Sequence, residues 1–284
     1  LASYLLSSWR PSDHGGMANA FLSRFTGLGG TIISGDGVKS IQIESGRAAG
    51  VLLQSGRSIK ADILVAAIHP RTMVSLLPPG SVRESYIKRA ETIVNTRGLF
   101  GVNAAVDSES CQPLRYNIYR LYMGMDNELN GTFHQVLKTG KPGANLLSMI
   151  TASPIGAWRK WESTVSGKRG DDYESAKMER ARELVEGAEK LLGPLGEVKI
   201  LDAYTPLTVR DRVGSPDGSP YGILRSSGQM MKAASLNRAP VGGLFLSGQN
   251  RLSPGVLGTM LGSFQTVRQI VGNDMFMCEV AGEL

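Results

Sequence analysis

The residues best placed to do chemistry in this chain lie between positions 243 and 272. A short apolar stretch, Leu244-Phe245-Leu246, runs into Gly248-Gln249-Asn250, then Pro254-Gly255-Val256-Leu257-Gly258, then a segment of helical spacing. Strand, glycine turn and helix together make a design for holding negative charge. Glycine lets backbone approach a ligand closely, while the free N–H groups of a helix's first turn and the positive end of its dipole favour an anion or an electron-rich edge. Gly255, Gly258 and Gly262 recur at spacings of three and four, so one side of that helix is thinned. Such a face admits either a bulky flat ligand or a second backbone.

Side-chain chemistry is sparse elsewhere. His14, His69 and His134 are scattered without metal-ligand spacing, and Cys111 and Cys278 stand far apart with no CxxC pair, so neither a metal centre nor a disulfide framework is indicated. Ser247 and Ser253 flank glycines, but no GxSxG elbow and no histidine and aspartate partner set accompany them, which sets acyl transfer aside. Asp211, Asp217 and Tyr221 sit in a polar, turn-rich stretch leading back toward residue 243. They read as surface turn residues, with Tyr221 lining a substrate passage as the functional alternative.

The elements that must position these residues follow from periodicity. Met17, Phe21, Phe25 and Leu28 mark an amphipathic helix closed by Gly29-Gly30. From Gly30 to Ile68 the period shortens, and TIIS, VKSIQIES, AAGVLLQS and IKADILVAAI read as strands separated by glycine turns. The continuous apolar run ILVAAI suits a strand covered on both faces in a largely parallel sheet. LFGVNAAV, RYNIYRLYM and NLLSMIT suggest a second sheet; residues 173–192 form a helix with Ala181, Leu184, Val185 and Ala188 on one face; VKILDAY is a strand. The final helix carries Val256, Met260, Phe264, Val267 and Val271 as its apolar face.

The totals place these elements in an ordinary globular chain. The 284 residues are 42% hydrophobic and 20% charged, which excludes disordered and fibrous classes. The charge of +6 comes from 31 basic and 25 acidic residues that are interspersed, so it describes a solvated surface, with peripheral contact to an anionic membrane admitted and nucleic acid disfavoured for want of a basic stripe with aromatics. No apolar run reaches the ~20 residues that a spanning helix needs. Two unpaired cysteines fit a reducing, cytoplasmic setting, membrane-associated at most at its surface.

Three ordered segments carry a resemblance. HGGM with its helix, GG-x-I, the V-x-x-I strand from Val38, GVLLQSG, and IKADILVAAIHP followed by LL resemble the mid-chain of phytoene desaturase-like and amine oxidase-like flavoproteins. TPLTVRDRVGSPDGSPYGI resembles that group's TPxT and GSxYGI segment, and GLFLSGQNRLSPGVLGTMLGSF its terminal flavin segment, with GQN nearest the retinol saturase branch. The likeness spans nearly the whole chain, to the phytoene desaturase, carotenoid isomerase and retinol saturase group of the flavin amine oxidase superfamily.

What this resemblance implies is an α/β fold: a partial FAD/NAD(P)-binding Rossmann-like domain built from residues 13–76 and 237–284, with an inserted mixed α+β substrate domain over 77–236. It implies FAD as cofactor, with Val38 meeting the adenine through its backbone and Gly248 and Gln249 beside the pyrophosphate and ribityl chain. The amides of Val256 and Leu257, with Met260 behind them, would face the pyrimidine edge of the isoalloxazine, which a helix N-terminus stabilises in the reduced state, and Gly255 and Gly258 would complete the cofactor-binding set. Many relatives have an acid where this chain has Gln249, which leaves that residue's role open. No strand-GxGxxG-helix fingerprint occurs, since Gly27-x-Gly29-Gly30 follows a helix, and the chain starts at Leu1 within what reads as folded sequence. The expectation is an N-terminal FAD-binding half upstream, in the same polypeptide or a separate subunit. The implied chemistry is hydride exchange between flavin and an apolar polyene or lipid substrate, as desaturase, saturase or isomerase. No general acid or base stands out, and Tyr221 is the one weak side-chain candidate. Two rivals share segments with it: a flavin-free lipid escort like the Rab GDP-dissociation inhibitors, and an amine oxidase, which calls for an aromatic cage in a chain only 6% aromatic.

Overall fold

The computed structural model of the chain describes residues 16–124 and 129–281. His14 and Gly15, at the head of the HGGM segment, lie outside them, as does Trp9. Helix α1 (Gly16–Gly27) opens the described chain. Strands β1 (Val38–Glu44), β2 (Arg47–Leu53) and β3 (Ser58–Lys60) form an antiparallel meander. Ser45 and Gly46, with φ of 49° and 76°, turn the first strand into the second, since a tight hairpin that matches strand twist needs positive φ at both central residues.

The apolar run from Ile59 to Ile68 is not one strand. It divides into β3 and β4 (Leu64–Ala66), and β4 leaves the meander to pair in parallel with a strand from the far end of the chain. Two short helices follow, α2 (Pro70–Ser75) and α3 (Glu84–Glu91). Strands β5 (Leu99–Asp107), β6 (Ile118–Met123), β7 (Leu129–Lys138) and β8 (Ala144–Ala152) come next, then α4 (Asp171–Leu192) and β9 (Val198–Tyr204). These five strands make one antiparallel sheet in the order β6-β7-β8-β5-β9. Helix α5 (Pro206–Val213) stands where the sequence suggested turns: Thr205 caps it, its hydroxyl accepting from the Leu207 N–H at 3.2 Å, and Pro206 occupies the first turn, where a missing N–H costs nothing. Helix α6 (Met230–Leu236), strand β10 (Leu244–Leu246), helix α7 (Gly255–Val271) and helix α8 (Asn273–Ala281) complete the chain.

Burial is gathered into two cores. The first lies between one face of the five-stranded sheet and α4, where Phe100, Val102, Leu147 and Met149 meet Ala181, Leu184 and Ala188, with Trp158 stacked on Phe100. The second joins the meander and the parallel pair, through Ile41, Leu244 and Leu246, to α2, α3 and α6, and takes in Tyr86, Ile93, Ile223 and Leu236. Between the cores run two connecting segments, paired through an isolated bridge between Asn95 and Ile223.

Two expectations from periodicity are corrected here. Residues 31–34 form no strand, and Ile63 and Val65 are each 50% exposed, not covered on both faces. Among the described residues β4 and β10 are paired as strands only with each other, and Val65 lies on the exposed face of that pair. No helix among the described residues is long and apolar enough to cross a membrane.

Candidate functional site

The site is built where the parallel pair ends. Beyond the carboxyl ends of such strands a crevice is open to ligand, because the connections leave the sheet there. Gly248, with φ of 78°, turns the chain immediately after β10, and a short 3₁₀ turn over Gly248–Asn250 leads to Pro254 and the start of α7. No side chain caps that helix, and Gly255 has φ of 84°. The orphan N–H groups and positive dipole end of a 17-residue helix are therefore presented uncovered at Val256 and Leu257.

Beside them lies an apolar cavity of about 580 Å³. Gln249, Gly255, Val256 and Met260 line it from one side, and Met17 and Phe21 of α1 from the other. The helical spacing that marked α1 as amphipathic is thus correct for the element. None of its residues is buried, however, and its apolar face opens on this cavity instead of a core. The same holds for α7. Val256, Met260, Phe264, Val267 and Val271 are all exposed, while Gly258, Gly262 and Thr266 form the buried face.

The glycines of α7 choose between the two readings left open by their spacing. A Cβ on Gly258 would come within 2.4 Å of the Ser253 carbonyl oxygen, and one on Gly262 within 3.1 Å of the Gly248 oxygen. They are small because their own turn packs on them, so Gly258 faces backbone and not the cavity. The turn is braced further by Arg251, a residue the sequence did not single out. Its buried guanidinium donates to the Leu246 carbonyl at 3.1 Å and to Gln269 at 3.0 Å, and Thr266 donates to the same carbonyl at 3.0 Å.

Val38 stands apart from this group. It lines a second apolar hollow of about 350 Å³ with Leu64, Ala67 and Ile68, on the meander side of the strand ends. Gly248 lies between the two, its missing Cβ 3.7 Å from Ala67.

Gln249 and Tyr221 are brought together through one bond. The Gln249 amide donates to the Pro220 carbonyl at 3.1 Å, and next to it the Asn250 side-chain oxygen accepts from the Ile223 N–H at 3.2 Å. Gly222, with φ of 66°, leaves the room that Asn250 occupies. This clamp holds Tyr221 over the open face of the five-stranded sheet, where Leu99, Leu121, Phe133, Ile150 and Ala152 line a hollow of about 330 Å³. Tyr204 completes that surface and was missed in the sequence. Its ring lies over Gly101, where a Cβ would come within 2.1 Å of it, and the only sign was a glycine in the middle of a strand. Burial raises the Tyr204 pKa, with smaller contributions from Tyr221 and Asp202.

Asp211 and Asp217 are structural. Asp211 pairs with the buried guanidinium of Arg169, and Asp217 accepts from Arg71 at 3.2 Å and from the Asn95 amide at 2.9 Å. His69 lies in the same network, its Nδ1 accepting from the Arg71 N–H at 3.1 Å and its Nε2 facing the Asn95 oxygen at 2.8 Å. Among the described residues no group of histidine, cysteine or acidic side chains could hold a metal.

No protein-family model matches this chain. Part of it is similar to proteins named all-trans-retinol 13,14-reductase. It is 27% identical to the one from Macaca fascicularis over 139 residues, 48% of this chain and 23% of that protein, and 26% identical to the human one over the same shares. The chain thus matches about a quarter of the length of these curated relatives. Among solved structures, a putrescine oxidase redesigned for cofactor binding superposes with a TM-score of 0.61 at 14% identity, covering 91% of this chain and 53% of that one. An oxidoreductase from Methanosarcina mazei superposes with a TM-score of 0.58 at 16% identity, covering 89% and 53%. The fold is therefore the mixed α/β fold of these oxidoreductases, a partial Rossmann-like layer with a sheet-and-helix unit set against it.

Proposed function

We propose that this chain forms the middle and C-terminal parts of an FAD-dependent oxidoreductase acting on an elongated apolar substrate. The observation that carries the reading is the uncapped start of α7 beside an apolar cavity at the carboxyl ends of β4 and β10. That arrangement fits FAD: the Val256 and Leu257 amides would meet the electron-rich edge of the ring, Gly248 would allow the close approach of the polar chain, and Val38 would serve the adenine end. When bound, the flavin supplies the hydride acceptor or donor.

This chain's own residues then do three things. The α7 amides would stabilise negative charge at the electron-rich edge of a bound ring. Gln249 and Asn250 position the segment carrying Tyr221, which ties the cofactor side to the substrate side. The open sheet face, with Leu99, Leu121, Phe133 and Ile150, offers an apolar surface for a long chain of the polyene or retinoid kind. The partial identity with all-trans-retinol 13,14-reductase supports that substrate class. A second reading, oxidation of an amine, is favoured by the neighbouring Tyr204 and Tyr221 rings, which suit a cation.

Val256→Asp tests the site directly. Val256 is 51% exposed, so the substitution leaves the packing alone while placing a carboxylate where the proposal puts electron density. Purified together with its N-terminal FAD-binding half, the wild-type protein should show the visible absorbance bands of flavin, and the variant should lose most of them with an unchanged circular dichroism spectrum. A colourless wild-type protein, the expectation for a lipid escort, or undiminished flavin in the variant, overturns the reading. Turnover of a retinoid against a diamine then separates the two substrate classes.

A further inference from the structure

The five-stranded sheet has a second concavity, on the face opposite Tyr221 and remote from α7. It lies between edge strand β6, strand β7 and helix α4, has a volume of about 220 Å³, and is lined by more polar and charged side chains than the three hollows described above. Arg120, Tyr122, Thr132, His134, Arg180 and Glu183 line it. Strand alternation accounts for the grouping: Arg120 is paired with Thr132 and Ile118 with His134, so these side chains share the face that α4 partly covers.

His134 is only 1% exposed, and its ring is half satisfied. Nε2 faces the Thr132 hydroxyl at 2.8 Å, while Nδ1 has no partner at all. A buried polar atom left unpaired costs about 1–3 kcal/mol, so such a group in a folded protein calls for an occupant. Burial and the nearby Arg120 guanidinium both hold the imidazole below its ordinary pKa, which keeps it neutral. Around the mouth Arg180 is matched by Glu183 at 2.6 Å, whereas Arg120 forms no ion pair among the described residues.

We propose that this cavity binds a small oxyanion, a phosphate or carboxylate group, with Arg120 supplying the charge and His134 Nδ1–H the hydrogen bond at its floor. The proposal takes the tautomer in which the Thr132 hydroxyl donates to Nε2, which leaves the proton on Nδ1 for the anion. Neutral imidazole is the suited donor, since it satisfies an anion without a second charge beside Arg120. Thr132 and Tyr122 add hydroxyl groups, and the guanidinium of Arg120 matches two anion oxygens at once. The site is independent of flavin, as it faces away from the open sheet surface.

Titration of the purified protein, carrying isotopically labelled histidine, with sodium phosphate and separately with sodium acetate tests this at an ionic strength held constant with sodium chloride. The expected result is a saturable shift of the His134 Nδ1 resonance with one of them, the tighter binder naming the source of the oxyanion. Arg120→Gln, on an exposed strand position, should weaken binding about tenfold, the loss of one charge-assisted contact. His134→Gln keeps an amide where Nε2 meets Thr132 and removes the group at Nδ1, and calorimetry should show a loss of similar size. Absence of a saturable response to either anion, or a response unchanged in Arg120→Gln, overturns the proposal.

Discussion

His69 shows how much one side chain can report about its surroundings. It begins α2 as a capping residue, its Nδ1 accepting from the Arg71 N–H, and it is only 3% exposed. Burial first, and the Arg71 charge after it, lower its pKa from 6.5 to about 4. The unfolded chain therefore binds a proton near pH 6.5 that the folded chain refuses until about pH 4. Stability from this residue is complete above the unfolded value and falls as pH drops through that window, by up to about 3 kcal/mol at its lower end. Denaturant midpoints measured between those pH values should fall with acidity. His69→Asn, which retains a capping acceptor without a titrating ring, should flatten the slope.

At the scale of elements, what decides the site is which face each helix and strand turns inward. Helix α7 buries glycines and Thr266, because its N-terminal turn folds back on it with the Ser253 and Gly248 carbonyls in contact. Its larger residues are left for the cavity. In the five-stranded sheet Gly101 plays the matching part, since Tyr204 across the register can lie flat only where no Cβ stands. Gly101→Val should destabilise the protein by about 1–3 kcal/mol, an overpacking cost. In a Tyr204→Ala background the same change should cost much less, and a double-mutant cycle by chemical denaturation measures the difference. Equal costs in both backgrounds would show that the ring is not what the glycine accommodates.

The whole molecule is two cores joined through polar groups. Arg71, Asn95 and Asp217 meet where the connecting segments pair, and the Thr96 and Ser219 hydroxyls lie 2.5 Å apart beside them. This junction fixes how the five-stranded sheet stands against the ends of β4 and β10. Removing its acceptor with Asp217→Ala leaves two donors unmatched, and should lower stability by about 1 kcal/mol, given the partial exposure of the pair. The loss should appear as uncoupling. Trp158 and Trp161 both belong to the first core, so their fluorescence should part from the far-ultraviolet circular dichroism transition in the variant and coincide with it in the wild type.

The amino-acid sequence by itself determined the elements with strong local signals. Helices α1, α4 and α7 were legible from apolar spacing, the meander from its glycine turns, and the strand-turn-helix motif at residues 244–271 from the types and spacing of its residues. It also marked the segments containing Gly248, Gln249, Val256 and Tyr221. Tertiary structure alone decided which surfaces those elements bury. Periodicity states that a face is apolar, not whether a core, a cavity or backbone meets it, and so Gly258 turned out to face its own turn and α1 to face a cavity. Strand β7 was not foreseen from the sequence, and α5 stood where turns were expected, because capping by Thr205 and cross-strand pairing outweigh weak local preference. Contacts between residues far apart in the chain, Tyr204 on Gly101, Gln249 on Pro220 and Asp217 on Arg71, leave no local pattern, since they depend on the packing of whole elements.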